Sequence, residues 1–220
     1  MPLQTTGPGS VFAKYSGVVP ENYLRVLAYK ESGFRPDVVH PQSKATGLFQ
    51  ITNTALSSFN QRNATSLQLP QLVDPELNAQ VASQHLAGVI NVYKKYRSLQ
   101  PDWNSRRWLE LLTLGWNAGH NAVASIAARM EATGLPPDRI NVDTVSQAAA
   151  AIGGKAKYVG DAARVAWSKS VAGKFLGGAV PALVAKVAEN PGTSATGLLV
   201  VAGLGYLAFR LTRVRREAVA

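Results

Sequence analysis

Leu24, Leu27, Ala28 and Glu31 fall at the i, i+3, i+4, i+7 spacing of one helical face, so a carboxylate stands on a stripe that is otherwise apolar. The helix this predicts starts near Pro20, a residue suited to a first turn. It stops at Gly33, which takes the left-handed conformation, and Pro36 blocks continuation. A second face repeats at Ala82, Leu86, Val89, Tyr93 and Tyr96 behind Asp74-Pro75, a cap followed by a first-turn proline. A third places Trp108, Leu112 and Trp116 every fourth residue behind Ser105, predicting a deeply buried helix that Gly119 ends. "NAVASIAARMEAT" predicts a further helix closed by Gly134 and Pro136-Pro137. Asp143 is expected to cap "TVSQAAAAI", and Gly153-Gly154 to separate it from "KAKYVGDAARVAWSK". "SSFNQRNATSLQLPQ" reads as a polar linker. No segment alternates as a strand does, and the fold class expected is all-α.

The pattern changes towards the C-terminus. Ala, Gly and Val dominate after Ser170, and from Asn190 to Phe209 there are 20 consecutive uncharged residues, followed by Arg210, Arg213, Arg215 and Arg216. A bilayer span needs roughly 17 to 25 apolar residues, so a short transmembrane helix is expected over about 195–211, its arginines on the cytoplasmic side. An apolar helix docked on a partner subunit is the alternative. The expected organisation is a flexible arm over 1–10, a catalytic-sized domain over 11–169, an Ala/Gly-rich linker or amphipathic helix over 170–193, and the span with its basic end over 194–220.

Charge narrows the partners. The chain of 220 residues carries 23 Lys and Arg against 13 Asp and Glu, a net of +10. Ten of the basic residues lie from Lys155 onward with only Asp161, Glu189 and Glu217, so +7 of that charge belongs to the tail. Anionic partners are implied, either a membrane surface or an acidic polymer such as a cell wall. Basic and aromatic residues are not interleaved as in a nucleic-acid reader, so no specific nucleic acid is expected. The absence of cysteine excludes disulfides, thiolate nucleophiles and zinc–thiolate sites. His40, His85 and His120 lack metal-ligand spacing, and no glycine-rich phosphate loop appears, so neither metal nor cofactor is expected.

Glu31 is the residue with chemical promise. At the end of its helix it meets the negative pole of the dipole and an apolar neighbourhood, both of which disfavour ionisation and raise its pKa. A carboxylic acid held protonated near neutrality is what a general acid for glycosidic cleavage needs. A structural ion pair with Lys30, Lys44 or Arg35 is the plainer reading of the same position.

Glu31-Ser32, Gly47-Leu48-Phe49-Gln50-Ile51, Trp116-Asn117-Ala118-Gly119 and Tyr158-Val159 stand in an order and approximate spacing that resembles the soluble lytic transglycosylases, relatives of goose-type lysozyme. "DPELNAQVASQHL" is similar to the Asp-Pro-Glu-x-Asn segment that opens a middle helix in that family, and the resemblance covers roughly 11–169. It implies a lysozyme-like lytic transglycosylase domain with Glu31 catalytic and Ser43, Phe49, Gln50, Trp116, Asn117 and Tyr158 binding substrate. His40 rivals Ser43 for the family's serine. Trp116 stands where the family usually has Tyr, Gly115 where it has Ala, and Phe49 where it has Met.

The substrate implied is peptidoglycan, cut at the β-1,4 bond between N-acetylmuramic acid and N-acetylglucosamine with formation of a 1,6-anhydro sugar. Asp37 reads as a loop residue and Asp74 as a cap, so no second acid shares Glu31's setting, which favours this outcome over an inverting hydrolase. The other readings are a goose-type muramidase, a non-catalytic wall-binding or structural virion protein on a membrane anchor, and a membrane-active protein whose tail perturbs bilayers. The N-terminus has no signal-peptide pattern. The expected place of action is therefore a bacteriophage virion, with other virion proteins as partners, penetrating the wall locally during genome entry.

Overall fold

The computed structural model describes residues 10–178. Eight α-helices carry this part of the chain: α1 (Val11–Tyr15), α2 (Glu21–Ser32), α3 (Asn53–Asn63), α4 (Pro75–Tyr93), α5 (Arg106–Ala118), α6 (His120–Ala132), α7 (Val142–Ile152) and α8 (Ala162–Leu176). Two isolated β-bridges, Val39 with Thr46 and Thr46 with Ile51, tie the loop between α2 and α3. Among the described residues no helix is long and apolar enough to cross a membrane. The expected span at 195–211 lies outside them, as do residues 1–9 of the arm and 179–193 of the linker.

The centre is α5, where Trp108, Leu109, Leu111, Leu112, Thr113 and Leu114 are all buried, and α4, α6, α7 and α8 pack around it. Ser105 starts it by accepting a hydrogen bond from the Trp108 amide at 3.3 Å. Two buried tyrosines are paired: the Tyr23 hydroxyl meets Thr113 Oγ1 at 2.7 Å, and Tyr93 donates to the Leu111 carbonyl at 3.2 Å, while the indole Nε1 of Trp108 has no partner among the described residues. That Tyr93 hydroxyl explains Gly115, because a Cβ there would sit 2.1 Å from it.

Several boundaries differ from the sequence reading. The expected linker over 57–71 overlaps the second half of α3, a helix capped by Thr52 in which Leu56 and Phe59 are the buried residues, too sparse to mark a face. Asn141, not Asp143, caps α7, and Asp143 turns outward to Lys169 at 2.7 Å. Tyr96 lies past the end of α4. Ser10, assigned to the arm, is fully buried and caps α1 through the Ala13 amide at 3.2 Å. The expected boundary between 169 and 170 falls inside α8, whose Val171 and Ala172 are buried while Phe175 meets Tyr23 edge-on at 5.7 Å.

The loop that carries Gly47 to Gln50 is held by one buried amide. Asn78 of α4 accepts from the Phe49 amide at 2.9 Å and donates to the carbonyls of Thr46 and Leu72, each at 2.9 Å. Gly47 adopts φ +82°, and a Cβ there would lie 2.2 Å from both Asn78 Nδ2 and the Leu72 oxygen, so glycine is required twice over. Asn78→Ala would strand the Phe49 amide and the Leu72 carbonyl, while the Thr46 carbonyl keeps the Ile51 amide at 3.0 Å; each orphaned buried group costs about 1 to 3 kcal/mol, so a loss of at least ~2 kcal/mol is expected. Urea unfolding checks this, and a loss below ~1 kcal/mol would contradict the clamp.

Candidate active site

Glu31 sits where the helical stripe put it. Leu24, Leu27 and Ala28 are fully buried, and α2 ends at Gly33, whose φ of +64° and amide bond to the Tyr29 carbonyl at 2.9 Å form a left-handed cap. Trp116, in the last turn of α5, donates from its indole Nε1 to Glu31 Oε1 at 2.7 Å. Burial pushes the Glu31 carboxyl up to about 7, against the opposing pull of the Trp116 donor and the positive charge of Lys30. Desolvation wins because one neutral donor and one nearby cation do not replace the water removed. The ion-pair reading fails on the same geometry. Lys30 bonds to Ser170 Oγ at 3.1 Å and Arg35 to the Ser32 carbonyl at 3.1 Å, and the described residues give Glu31 no salt bridge.

The far side of Trp116 meets a residue that the sequence reading passed over. His85 lies edge-on to the Trp116 ring at 5.3 Å and to His120 at 5.7 Å. Burial lowers the His85 pKa to about 4, with His120 and Arg62 adding to the effect, and burial with Arg62 lowers His120 as well. His85 is therefore neutral where Glu31 titrates, and His120 is shifted the same way. A signal existed: His85 follows Ala82 by three and precedes Val89 by four, on the buried face of α4.

Asn117 and Tyr158 are brought together by Arg164, also missed. Its Nη1 donates to the Asn117 carbonyl at 2.7 Å and to Asn117 Oδ1 at 2.6 Å, and its guanidinium lies 3.5 Å from the centre of the Tyr158 ring. Tyr158 is 55% exposed and so is available as a stacking surface rather than as core. The loop residues are less simple. Gln50 spends its amide Nε2 on the carbonyls of Val38 and Gly47, at 3.0 and 2.9 Å, which closes its own loop. Ser43 is exposed and accepts from the Ala45 amide at 3.3 Å, while His40 Nδ1 accepts from the Ser43 amide at 3.1 Å. No hydrogen bond among the described residues joins Ser43, His40 or Gln50 to Glu31. Phe49 corrects an expectation: its side chain is fully buried and packs edge-on to Phe12 at 6.1 Å, so it supports the loop from below and offers no surface to a ligand.

A protonated acid thus faces an indole donor, with an aromatic face and an oriented amide joined to it through consecutive residues 116 and 117. The family described as the transglycosylase SLT domain matches residues 11–134. The chain belongs to that family. The match takes in Glu31, the Gly47 loop, Asn78 and Trp116-Asn117 of this SLT domain and ends before Tyr158 and Arg164. Among solved structures, the 70 kDa soluble lytic transglycosylase of Escherichia coli is similar at 20% identity with a TM-score of 0.47. The alignment covers 76% of this chain and 24% of that one, so the SLT-domain chain corresponds to a minor part of the larger enzyme. A search of curated proteins gives no match.

The raised Glu31 pKa has a consequence for stability. At pH 4 both folded and unfolded chains hold the proton, whereas between the ordinary value of 4.5 and about 7 the folded state alone keeps it. Stability therefore falls as pH rises through that window, levelling off above it at a loss of up to roughly 3 kcal/mol. Glu31→Gln has no proton to lose and is expected to lack this decline. Urea titrations of both proteins from pH 4 to 9 check it, and parallel curves would contradict the burial argument.

Proposed function

We propose that the chain is a peptidoglycan lytic transglycosylase. The observation that carries this reading is the lone carboxyl of Glu31, protonated to about pH 7 and already hydrogen-bonded to Trp116 Nε1 at 2.7 Å. Glu31 donates its proton to the oxygen linking N-acetylmuramic acid to N-acetylglucosamine, and the bond from that oxygen to the anomeric carbon breaks. The Glu31 carboxylate so formed takes the proton of the muramoyl 6-hydroxyl while that oxygen bonds to the anomeric carbon. The acid is regenerated and a 1,6-anhydro sugar leaves. The Trp116 N–H favours the carboxylate between the two steps, because a hydrogen bond to the charged form stabilises it.

An inverting hydrolase needs a second carboxylate, with room for a water between the two. Asp37 and Asp74 are both exposed, and Asp74 Oδ1 is engaged with the Leu77 amide at 2.8 Å as the cap of α4. Glu110 is buried but ion-paired with Arg106 at 2.9 Å, so no acid among the described residues shares the unpaired setting of Glu31, which favours the anhydro product over the muramidase outcome. Substrate contacts are assigned to Trp116, Asn117, Tyr158 and Gln50, with Ser43 at the loop edge. For Gln50 the free group is its carbonyl oxygen.

The tail extends the proposal. An uncharged stretch of 20 residues ending at Phe209 and followed by four arginines would hold the lytic domain at a bilayer, with the arginines on the anionic face. We place the enzyme in a phage particle, cutting the host wall locally as the genome enters. Mass spectrometry of purified particles tests the location. Carbonate and high-salt washing tests the anchor, since a span resists both and a charge-held protein is released.

Two outcomes test the chemistry. Glu31→Gln is expected to lower release of soluble fragments from purified peptidoglycan by ~10² or more without unfolding the domain. Retention of more than about a tenth of activity would remove Glu31 as the general acid. Product masses are expected to be those of 1,6-anhydro ends, and products heavier by one water would establish a muramidase instead.

A further inference from the structure

Arg164 has the geometry of a residue that acts on substrate through others. It lies in the first turn of α8, where Asp161 Oδ1 accepts from its backbone amide at 3.2 Å and fixes the start of the helix. Its side chain is half-buried, and one nitrogen, Nη1, reaches both oxygens of Asn117 at 2.7 and 2.6 Å. The carbonyl of Asn117, in the last turn of α5, has no partner within that helix, so part of the contact is a helix cap.

The second bond does something a cap does not require. A guanidinium has only donors, so the Asn117 amide must turn Oδ1 towards it and its Nδ2 away. Nδ2 then makes no hydrogen bond within the described residues. An amide free to flip would present donor and acceptor alternately, whereas this one presents two N–H groups. The same guanidinium covers one face of the Tyr158 ring at 3.5 Å and leaves the ring 55% exposed.

We infer that Arg164 is a positioning residue which sets the Asn117 amide as a hydrogen-bond donor and the Tyr158 ring as a stacking face for the glycan. This rests on the reading of Asn117 and Tyr158 as substrate contacts. Arg164 touches no reacting atom, and its role is exercised through binding. A lysine in its place could reach an Asn117 oxygen but could not lie flat on the ring.

The test uses the full chain carrying Glu31→Gln, which binds without cleaving, and an N-acetylglucosamine oligomer as the probe, with affinity measured by calorimetry. Adding Arg164→Ala is expected to weaken binding about tenfold, the equivalent of one well-formed hydrogen bond and a stacking contact. Arg164→Lys should fall between. Asn117→Ala combined with Arg164→Ala should lose less than the sum of the two single losses, exceeding Asn117→Ala alone only by the Tyr158 share, because the bond to Asn117 is counted in both single variants. A cap with no other role predicts lowered thermal stability and unchanged affinity for both Arg164 variants, which would overturn the proposal while leaving the Glu31 chemistry intact. Arg164→Lys keeps the comparison open if the alanine variant unfolds. Absence of probe binding by the Glu31→Gln parent would instead remove the substrate reading of Asn117 and Tyr158, and the inference with it.

Discussion

Partial withdrawal of the half-buried Glu31 carboxyl from water is the constraint on which the site depends. Burial raises its pKa to about 7, and the partners that could have cancelled the effect are few: one indole N–H and one lysine whose ammonium is turned to Ser170. A guanidinium in place of Trp116 would have ionised the acid outright. The neutral donor leaves the proton on and still welcomes the anion after the proton has gone. Burial pushes the imidazoles of both His85 and His120, next to Trp116, towards their neutral forms.

The rest of the domain can be read as the support for that pair. Helix α2 must stop immediately after Glu31, and Gly33 stops it. Helix α5 must deliver Trp116 from its final turn, which requires the turn before to be rigid: the Tyr93 hydroxyl fills the space at Gly115, and Thr113 bonds both Tyr23 and its own helix. Lining α5 with buried apolar residues fixes its axis through packing, which is stiffer than exposed polar contact. The same logic governs the Gly47 loop, whose irregular backbone is held by the three hydrogen bonds of buried Asn78.

How far the sequence alone reached depended on whether a signal was local. Glu31 on its stripe, the Gly33 stop, the Asp74 and Ser105 caps and the buried run of α5 are all decided within a few residues, and all are observed. Helix α3 was hidden because only Leu56 and Phe59 of its eleven residues are buried. Asn141 and Asp143 are both plausible caps, and packing of Val142 chose between them. Phe49 was misassigned because an aromatic next to a motif glutamine looks the same in sequence whether it faces solvent or core. The bonds of Arg164 to Asn117 could not have been found, since that partner lies 47 residues away in α5 and is met only when α8 packs there; its other contact, Tyr158, is local but carries no pattern that marks it.

The protonation of Glu31 is the central claim, and it can be observed without any substrate. Carbon-13 labelling of glutamate carboxyls in the full chain, with the Glu31 signal assigned by its absence from the Glu31→Gln protein, reports the titration directly. The account predicts a midpoint about 7. A midpoint in the ordinary glutamate range of about 4 to 5 would mean that water or an unseen partner reaches the carboxyl, and Glu31 would not be the acid described here.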